Sequence, residues 1–386
     1  MRYFILYLNL AVLLFQAQCQ ISTAASIQGN IELSPDWRPV VYLIQPRSFD
    51  ELFTNYGGLV VDSAQIKPNG DFAFQTVHRS GLYLLTIQRP AQKFPNYLVL
   101  GQASANFFPL VIDAKEKLTI KAQADQFLRS TIIDKPSEPN QAMLELSKLY
   151  INTLEQAHPK EVHSDDQYLA ANQLPFFKAL STFADSTKEV YAALAAIRLI
   201  SPESDYERIP EFLVNQCGKW STTTPDNPMV MQLCAKTNSS NLPVLVGDTM
   251  ADFQLPSTNA DTLMLKKILG KKLTILDIWA SWCAPCRREN RDVLVPLWQK
   301  YQPQGLQIIG YSIDASEGAW KAAIAKDKAG WTHTSHLTGD STPFMDALRI
   351  QTIPANFILD GSGKVVAKNL HGANLARFVD EWFSKN

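Results

Sequence analysis

Hydrophobic and polar positions change their spacing along the chain, and the first spacing is that of short strands. Stretches rich in β-branched and aromatic residues lie at 40–44, 59–61, 72–74, 82–87 and 107–112. Pro68-Asn69-Gly70 is a strong turn signal between two of these stretches. Because no helical spacing intervenes, residues 21–130 are predicted to form a β-sandwich-like module.

After residue 135 the apolar positions recur at the spacing of helices. Two of the predicted helical faces carry Met143, Leu146, Tyr150 and Leu154, and then Val190, Leu194 and Ile197. The second helix is expected to open with a capping box at Ser186-Thr187-Lys188-Glu189. Residues 131–240 are therefore predicted to form a helical domain.

Strands and helices alternate in the remainder of the chain, residues 241–386. The stretch 273–279 is almost continuously apolar, which is typical of a strand buried on both faces. Helices are predicted at 287–301, 320–328 and 375–383, and further strands at 306–313, 356–359 and 365–368. Asp360-Gly361-Ser362-Gly363 is a hairpin turn between the last two strands. This order predicts an α/β domain with a mixed central sheet, so the whole chain is predicted to be multidomain.

Composition and charge exclude one large class of partner. The 386 residues include 36 Lys and Arg against 37 Asp and Glu, which gives a formal net charge of −1. Nucleic acid is bound largely by neutralising phosphates, so we expect no nucleic-acid partner.

The first twenty residues have the pattern of a signal peptide. Residues 3–15 are apolar apart from Asn9, and this stretch is shorter than the ~20 residues that span a bilayer. We therefore expect residues 1–20 to be removed on export and the mature protein to be periplasmic. Lipoprotein anchoring through Cys19 is the alternative, although Gln18 stands where a small residue is usual.

The candidate chemistry lies where the buried strand 273–279 gives way to a helix, at Cys283 and Cys286. A thiol at a helix N-terminus faces unpaired backbone N–H groups and the positive end of the helix dipole, which favour the thiolate. The two intervening residues let the second sulfur reach the first, so a mixed disulfide can be resolved within the protein.

The alternatives for this pair are an inert structural disulfide and half of a zinc site. A zinc site needs a second pair of ligands, and His333 and His336 share no recognisable zinc-site spacing with the cysteines. We therefore expect redox chemistry with no metal and no cofactor.

Asp277 is the second candidate, because it interrupts the apolar strand six residues before Cys283. Burying a carboxylate is costly, so such a group usually has a raised pKa and takes part in acid–base chemistry. We expect Asp277 to lie within reach of Cys286 beneath the start of the helix. A structural role, with the carboxyl satisfied by a hydrogen bond, is the alternative.

Residues 243–386 resemble the TlpA/ResA-like branch of the thioredoxin superfamily. The motifs that carry the resemblance are Val246-Gly247-Asp248-Thr249-Met250-Ala251-Asp252-Phe253, Trp279-Ala280-Ser281-Trp282-Cys283-Ala284-Pro285-Cys286-Arg287-Arg288-Glu289 and Thr352-Ile353-Pro354. The resemblance implies a thioredoxin fold and a thiol–disulfide oxidoreductase. The β-rich module before it resembles, more loosely, the amino-terminal module of such proteins in Bacteroidetes.

The resemblance also implies roles for individual residues. Cys283 would be the nucleophile and Cys286 the resolving thiol, and a cis Pro354 would face their disulfide. Glu289 would lie near the active site, and Asp277 would correspond to the buried aspartate of thioredoxin. By the same comparison, the substrate groove would be lined by Trp282 and Ile353.

One position departs from the family pattern. Arg291 stands where members often carry a proline that kinks the helix. We therefore expect a straighter helix here, with a cation near the site that could lower the thiol pKa.

The dipeptide Ala284-Pro285 and Ile353 before the proline favour a protein-disulfide reductase or thiol carrier over an oxidant. Client protein thiols or disulfides are the expected partners, together with a membrane electron donor, and the pattern predicts no particular oligomeric state. One alternative is a thiol peroxidase, which would need threonine and proline where Ala280 and Leu276 stand. The other is a non-enzymatic periplasmic binding protein with a vestigial redox pair.

Cys217 and Cys234 form a further possible pair, on helices predicted at 207–220 and 229–236. A structural disulfide needs Cα atoms within about 7 Å, which requires a short or steeply crossing second helix. A structural disulfide and two buried free thiols therefore both remain open, and neither residue has the spacing of a redox motif.

Overall fold

The computed structural model describes residues 26–74, 79–100, 104–113, 116–157, 166–201, 209–238, 242–259, 261–350 and 352–385. The predicted signal peptide and Cys19 lie outside these residues. Across these ranges, no helix is both long enough and apolar enough to cross a membrane.

The N-terminal part contains two four-stranded sheets, with orders β4-β1-β7-β8 and β3-β2-β5-β6. Its elements are β1 Ser26–Glu32, β2 Val40–Gln45, β3 Leu59–Gln65, β4 Asp71–Ala73, β5 Gly81–Ile87, β6 Phe107–Ile112, β7 Lys117–Gln123, α1 Phe127–Ser130 and β8 Ile132–Ile133. Strands β5 and β6 are buried along their whole length, as their continuous apolar runs require. The packing of the two sheets as a sandwich stays a prediction.

The middle of the chain is helical, as predicted. Its helices are α2 Glu138–Ala157, α3 Asp166–Ser186, α4 Val190–Ile200, α5 Pro210–Thr223 and α6 Pro228–Lys236. Helix α4 is buried from Ala192 to Leu199, and its side chains join those of the N-terminal sheets in one hydrophobic cluster. The predicted domain boundaries themselves stay a prediction.

The capping box predicted at residues 186–189 is wrong. Ser186 ends α3, and its hydroxyl donates a 3.1 Å hydrogen bond back to the Phe183 carbonyl. Helix α4 begins only at Val190, and the Glu189 side chain makes no capping bond. A serine hydroxyl can bond to the preceding turn as readily as to the following one, and here it bonds to the preceding helix.

Cys217 on α5 and Cys234 on α6 are joined by a disulfide, with their Cα atoms 5.0 Å apart. Asn227 supports the turn between the two helices, because its side-chain oxygen accepts from the backbone N–H groups of Met229 (2.9 Å) and Val230 (3.3 Å). Of the two possibilities left open by the sequence, the structure contains the bridge.

The C-terminal part contains the predicted mixed sheet, of order β13-β12-β11-β14-β15. Its elements are β9 Gln254–Pro256, β10 Thr262–Met264, β11 Leu273–Trp279, α7 Ala284–Glu289, α8 Val295–Tyr301, β12 Leu306–Ser312, α9 Glu317–Asp327, β13 Thr332–Thr334, α10 Pro343–Leu348, β14 Ala355–Asp360, β15 Val365–Lys368 and α11 Gly372–Lys385. The central strand β11 pairs in parallel with β12 and antiparallel with β14.

Both faces of β11 are covered. Leu276 and Ile278 belong to one hydrophobic cluster, whereas Leu273 and Ile275 belong to another that includes Leu294 and residues of α11. Because side chains alternate along a strand, Asp277 points to the same face as Leu273 and Ile275. Its carboxyl therefore lies on the side of the sheet that the segment around Leu294 and α11 cover.

Polar contacts join the helical segment to the C-terminal sheet. Glu211 on α5 forms an ion pair with Lys368 on β15, at 2.8 Å, and accepts a 2.9 Å hydrogen bond from the backbone N–H of Val246. Lys368 also donates to the Val244 carbonyl at 3.0 Å. Burial lowers the pKa of Lys368, although the Glu211 carboxylate opposes that shift.

His333 on β13 is a buried titratable group of this core. Its Nε2 donates a 3.0 Å hydrogen bond to the Ala329 carbonyl, and its ring lies 5.7 Å from that of Trp279 and 5.5 Å from that of Trp331. Burial lowers the pKa of His333 to about 4. The folded protein therefore holds this histidine neutral at pH values where an exposed histidine takes up a proton.

We expect the free energy of unfolding to fall as the pH drops from about 6.5 towards 4, because only the unfolded state gains a proton on His333 in that range. The loss from this residue should be on the order of 3 kcal/mol. His333→Gln should reduce the slope of stability against pH in this window, measured by urea unfolding at several pH values. Identical slopes for the variant and the parent protein would contradict the assignment.

Candidate active site

The cysteines of the Cys-X-X-Cys motif lie where β11 has ended and α7 begins. Cys283 is the N-cap residue of α7, and its Sγ accepts a 3.3 Å hydrogen bond from the backbone N–H of Cys286. The two sulfurs form a disulfide, and the residues are 5% and 2% exposed. Trp282, immediately before them, is 66% exposed and marks the solvent side of the site.

The loop that carries the cysteines is tied to the neighbouring strand by Asp314. This buried carboxylate accepts hydrogen bonds from the backbone N–H (2.8 Å) and the hydroxyl (2.5 Å) of Ser281, and from the Ser312 hydroxyl (2.6 Å). The sequence reading missed Asp314. The available signal was a pair of polar residues, Ser312 and Asp314, at the carboxyl end of a buried strand next to the cysteine strand.

Helix α7 has a second anchor in Asp327, at the end of α9. Arg287 forms a bidentate ion pair with this buried carboxylate and also donates to the Ser281 carbonyl at 3.0 Å. Arg291 adds a 3.0 Å contact to the same carboxylate. Burial alone would raise the pKa of Asp327, but hydrogen bonds from the two arginines hold it below its usual value.

The expectation of a straighter helix at Arg291 is wrong. Residues Asn290–Leu294 form a π-helical turn between α7 and α8, in which the Val295 N–H donates to the Asn290 carbonyl. Pro296, in the first turn of α8, has no N–H, and its ring would clash with the carbonyl four residues earlier in an α-helix. The wider turn avoids that clash. The charge of Arg291 is paired with Asp327.

Asp277 and Glu289 are both buried, each 4% exposed. Burial raises the pKa of Asp277 well above its usual value, and the like charge of Glu289 raises it further. The Glu289 carboxylate accepts a 2.7 Å hydrogen bond from Nδ1 of His371 and a 3.0 Å hydrogen bond from the backbone N–H of Gly372. The charge of Glu289 thus acts on Asp277. His371, which the sequence analysis missed, is hydrogen-bonded to Glu289.

The Ile353–Pro354 peptide bond is cis, as predicted. Ile353 packs against the hydrophobic cluster that contains both cysteines. Cys217 and Cys234 belong elsewhere, on the helices of the middle segment. The catalytic and groove roles assigned to the site residues stay predictions.

A mixed sheet with a Cys-X-X-Cys disulfide at a helix N-terminus and a cis-proline defines a thioredoxin-like domain with a thiol–disulfide site. Residues 246–368 match the AhpC/TSA family. The C-terminal third of the chain is therefore thioredoxin-like in fold and similar to the AhpC/TSA family.

Relatives named as thiol-disulfide oxidoreductases match the same third of the chain. It is 26% identical over 123 residues to "Thiol-disulfide oxidoreductase ResA" of Bacillus cereus, covering 32% of this chain and 68% of that protein. It is 30% identical over 93 residues to the protein of the same name from Oceanobacillus iheyensis, covering 23% of this chain and 47% of that protein. The matches thus span from about half to two thirds of these relatives.

Solved structures also match this region. One is the C-terminal domain of a putative thiol-disulfide oxidoreductase from Bacteroides thetaiotaomicron, at 25% identity and a TM-score of 0.35, covering 37% of this chain and 98% of that one. Another is a thiol-disulfide oxidoreductase from Bacteroides fragilis, at 29% identity and a TM-score of 0.33, covering 35% of this chain and 98% of that one.

Arg287→Met should lower the free energy of unfolding by about 3 kcal/mol, because it removes the bidentate partner of a buried carboxylate. The loss should be largest near neutral pH, where Asp327 is charged. It should shrink as the pH falls below about 4, because protonation of Asp327 removes the charge that Arg287 pairs with. Lys321→Met is the matched control, since Lys321 forms an exposed ion pair with Glu317. The control should change stability by less than about 0.5 kcal/mol. Equal losses in urea unfolding would contradict the anchoring role of Arg287.

Proposed function

We propose that this protein is an exported thiol–disulfide oxidoreductase that reduces disulfides of client proteins through Cys283 and Cys286. The observation that carries the proposal is the bonded cysteine pair at the N-terminus of α7, with Cys283 as the N-cap residue. The similarity to relatives named as thiol-disulfide oxidoreductases supports it.

The proposed reaction begins from the reduced pair. The Cys283 thiolate attacks one sulfur of the client disulfide, forms a mixed disulfide and releases the other client sulfur as a thiolate. Cys286 then loses its proton and attacks the Cys283 sulfur, which releases the second client thiolate and forms the Cys283–Cys286 disulfide. Two electrons thereby pass to the client, and a membrane dithiol donor is the proposed source that restores the reduced pair.

In this scheme Asp277 takes the proton from the Cys286 thiol. A carboxyl with an ordinary pKa is a weak base at neutral pH, whereas burial and the charge of Glu289 raise the pKa of Asp277. A raised pKa brings its proton affinity closer to that of a thiol, which favours transfer between the two. In this scheme Glu289 takes no proton itself, and its charge serves to raise the pKa of Asp277.

The reducing direction rests on the residues around the cysteines. Ala284 and Pro285 separate them, so no histidine lies between the cysteines to stabilise the thiolate form as in strong oxidants. Ile353 precedes the cis-proline, as in reducing members of the branch. A thiol peroxidase is less well supported, because Ala280 and Leu276 replace the threonine and proline that its nucleophile needs.

Export is part of the proposal, with residues 1–20 as the signal peptide and the periplasm as the destination. The Cys217–Cys234 bridge supports it, because structural disulfides persist mainly in oxidising compartments. Mass spectrometry of the mature N-terminus tests this: retention of residues 1–20 would contradict export by cleavage.

Cys286→Ala should trap client proteins as mixed disulfides with Cys283, because the resolving thiol is absent. Non-reducing electrophoresis and mass spectrometry of the captured species measure the result. Cys283→Ala is the matched control and should trap none by this route. Capture by the control, or by neither variant, would contradict the assignment of Cys283 as the attacking thiol.

Asp277→Asn should slow reduction of a disulfide substrate by roughly 10²-fold near neutral pH, since the proton acceptor is lost. The variant should be at least as stable as the parent at that pH, because folding no longer buries an ionisable group. Stopped-flow kinetics and urea unfolding measure the two effects. Unchanged kinetics would leave Asp277 a structural residue.

A further inference from the structure

The contacts of Glu289 point to a residue outside the cysteine motif. Its carboxylate accepts from His371 Nδ1 at 2.7 Å and from the Gly372 N–H at 3.0 Å, so each oxygen has a donor. Both donors lie where the loop after β15 enters α11, more than eighty residues along the chain from Glu289. The Glu289 carboxylate is thus held by a loop that belongs to neither the cysteine strand nor the cysteine helix.

Asn356 fixes this loop from the sheet. It is fully buried, its amide donates to the Leu370 carbonyl at 2.6 Å, and its side-chain oxygen accepts from the Leu370 N–H at 3.1 Å. The Asn356 carbonyl also accepts from the Asn369 N–H at 2.8 Å. In the sheet register Asn356 stands opposite Asp277. The loop that holds Glu289 is therefore bonded to the residue that pairs with Asp277 in the sheet.

Three basic residues on neighbouring elements are paired with other carboxylates. Arg287 and Arg291 are engaged by Asp327, and Lys368 by Glu211. Arg288, on the same helical turn as Glu289, is half-buried. Glu289 is the charged group whose field acts on Asp277, and His371 supplies the side-chain donor that holds Glu289.

We propose that His371 is a positioning residue for thiol–disulfide exchange, which holds the Glu289 carboxylate at the buried location from which its charge acts on Asp277. The inference rests on the proposed function, because it concerns the proton that Asp277 takes from Cys286. If the donor is removed, the carboxylate can rotate towards water, where its charge is screened. Its influence on Asp277 then falls, and Asp277 ionises at lower pH.

The test is the titration of Asp277 in the oxidised full-length protein, followed by ¹³C NMR of labelled aspartate carboxyls and assigned with Asp277→Asn. This readout requires no turnover. His371→Leu should move the midpoint down by about one pH unit. His371→Asn, which places a donor near the position of Nδ1, should restore most of the parent midpoint. Arg377→Met, an exposed change on the same helix α11, should leave the midpoint where it is.

Glu289→Gln completes a double-mutant cycle. It should move the midpoint in the same direction and at least as far, and adding His371→Leu to it should change nothing further. The pH profile for reduction of oxidised glutathione should move with the midpoint in each variant.

An unmoved midpoint in His371→Leu, or an equal further shift in the double variant, would overturn the proposal. Shifted midpoints with unshifted rate profiles would also overturn it, because His371 would then have no bearing on exchange. A parent protein that reduces no disulfide, despite the expected midpoints, would instead reject the proposed function.

Discussion

The site depends on one constraint, the complete burial of β11. The strand is paired on both edges and covered on both faces, so its carboxyl end has a single position relative to β12 and β14. The chain leaves this end into the cysteine loop, which Asp314 ties to the end of β12. Helix α7 is then held by the ion pair of Arg287 with Asp327. The cysteines are thus placed by contacts to two neighbouring elements, and none of these contacts uses a sulfur atom.

Two buried aspartates near the cysteines show how differently one side chain can be used. Asp327 has two arginine partners, which outweigh its burial and hold its pKa low, so it acts as a fixed anion. Asp277 lies on the central strand, and its neighbour Glu289 has the same sign of charge. Its pKa is raised, and the folded protein favours its neutral form. A group that resists ionisation while its surroundings stay rigid is suited to receive and return a proton.

How much the sequence predicts depends on whether the deciding interaction is local. The apolar run of β11 and the cysteine spacing follow from neighbouring residues, and the cis peptide bond before Pro354 follows from a motif that resembles the family's. The structure contains all three. The partners that fix the site come from distant positions: Asp314 follows the next strand, and His371 begins the last helix region. No periodicity marks such residues, because their roles exist only after the sheet has assembled.

The errors have the same origin. A local motif predicted that Ser186 caps the following helix, but its hydroxyl bonds to the helix before it. The absence of the family's proline at Arg291 predicted a straighter helix, whereas Pro296, five residues further on, accompanies a π turn. The sequence analysis did not consider that proline, although a proline inside a helix usually disturbs it locally.

The loop after β15 connects the redox site to the rest of the chain. Lys368, the last residue of β15, is paired with Glu211 of the helical segment, and three residues later His371 contacts Glu289. Asn356 holds the residues between them by three hydrogen bonds to the buried sheet. A displacement of α5 would therefore have to break contacts to the sheet before it moved His371. The contact of the helical segment with β15 and the contact of His371 with Glu289 are thus separated by residues that Asn356 bonds to the sheet.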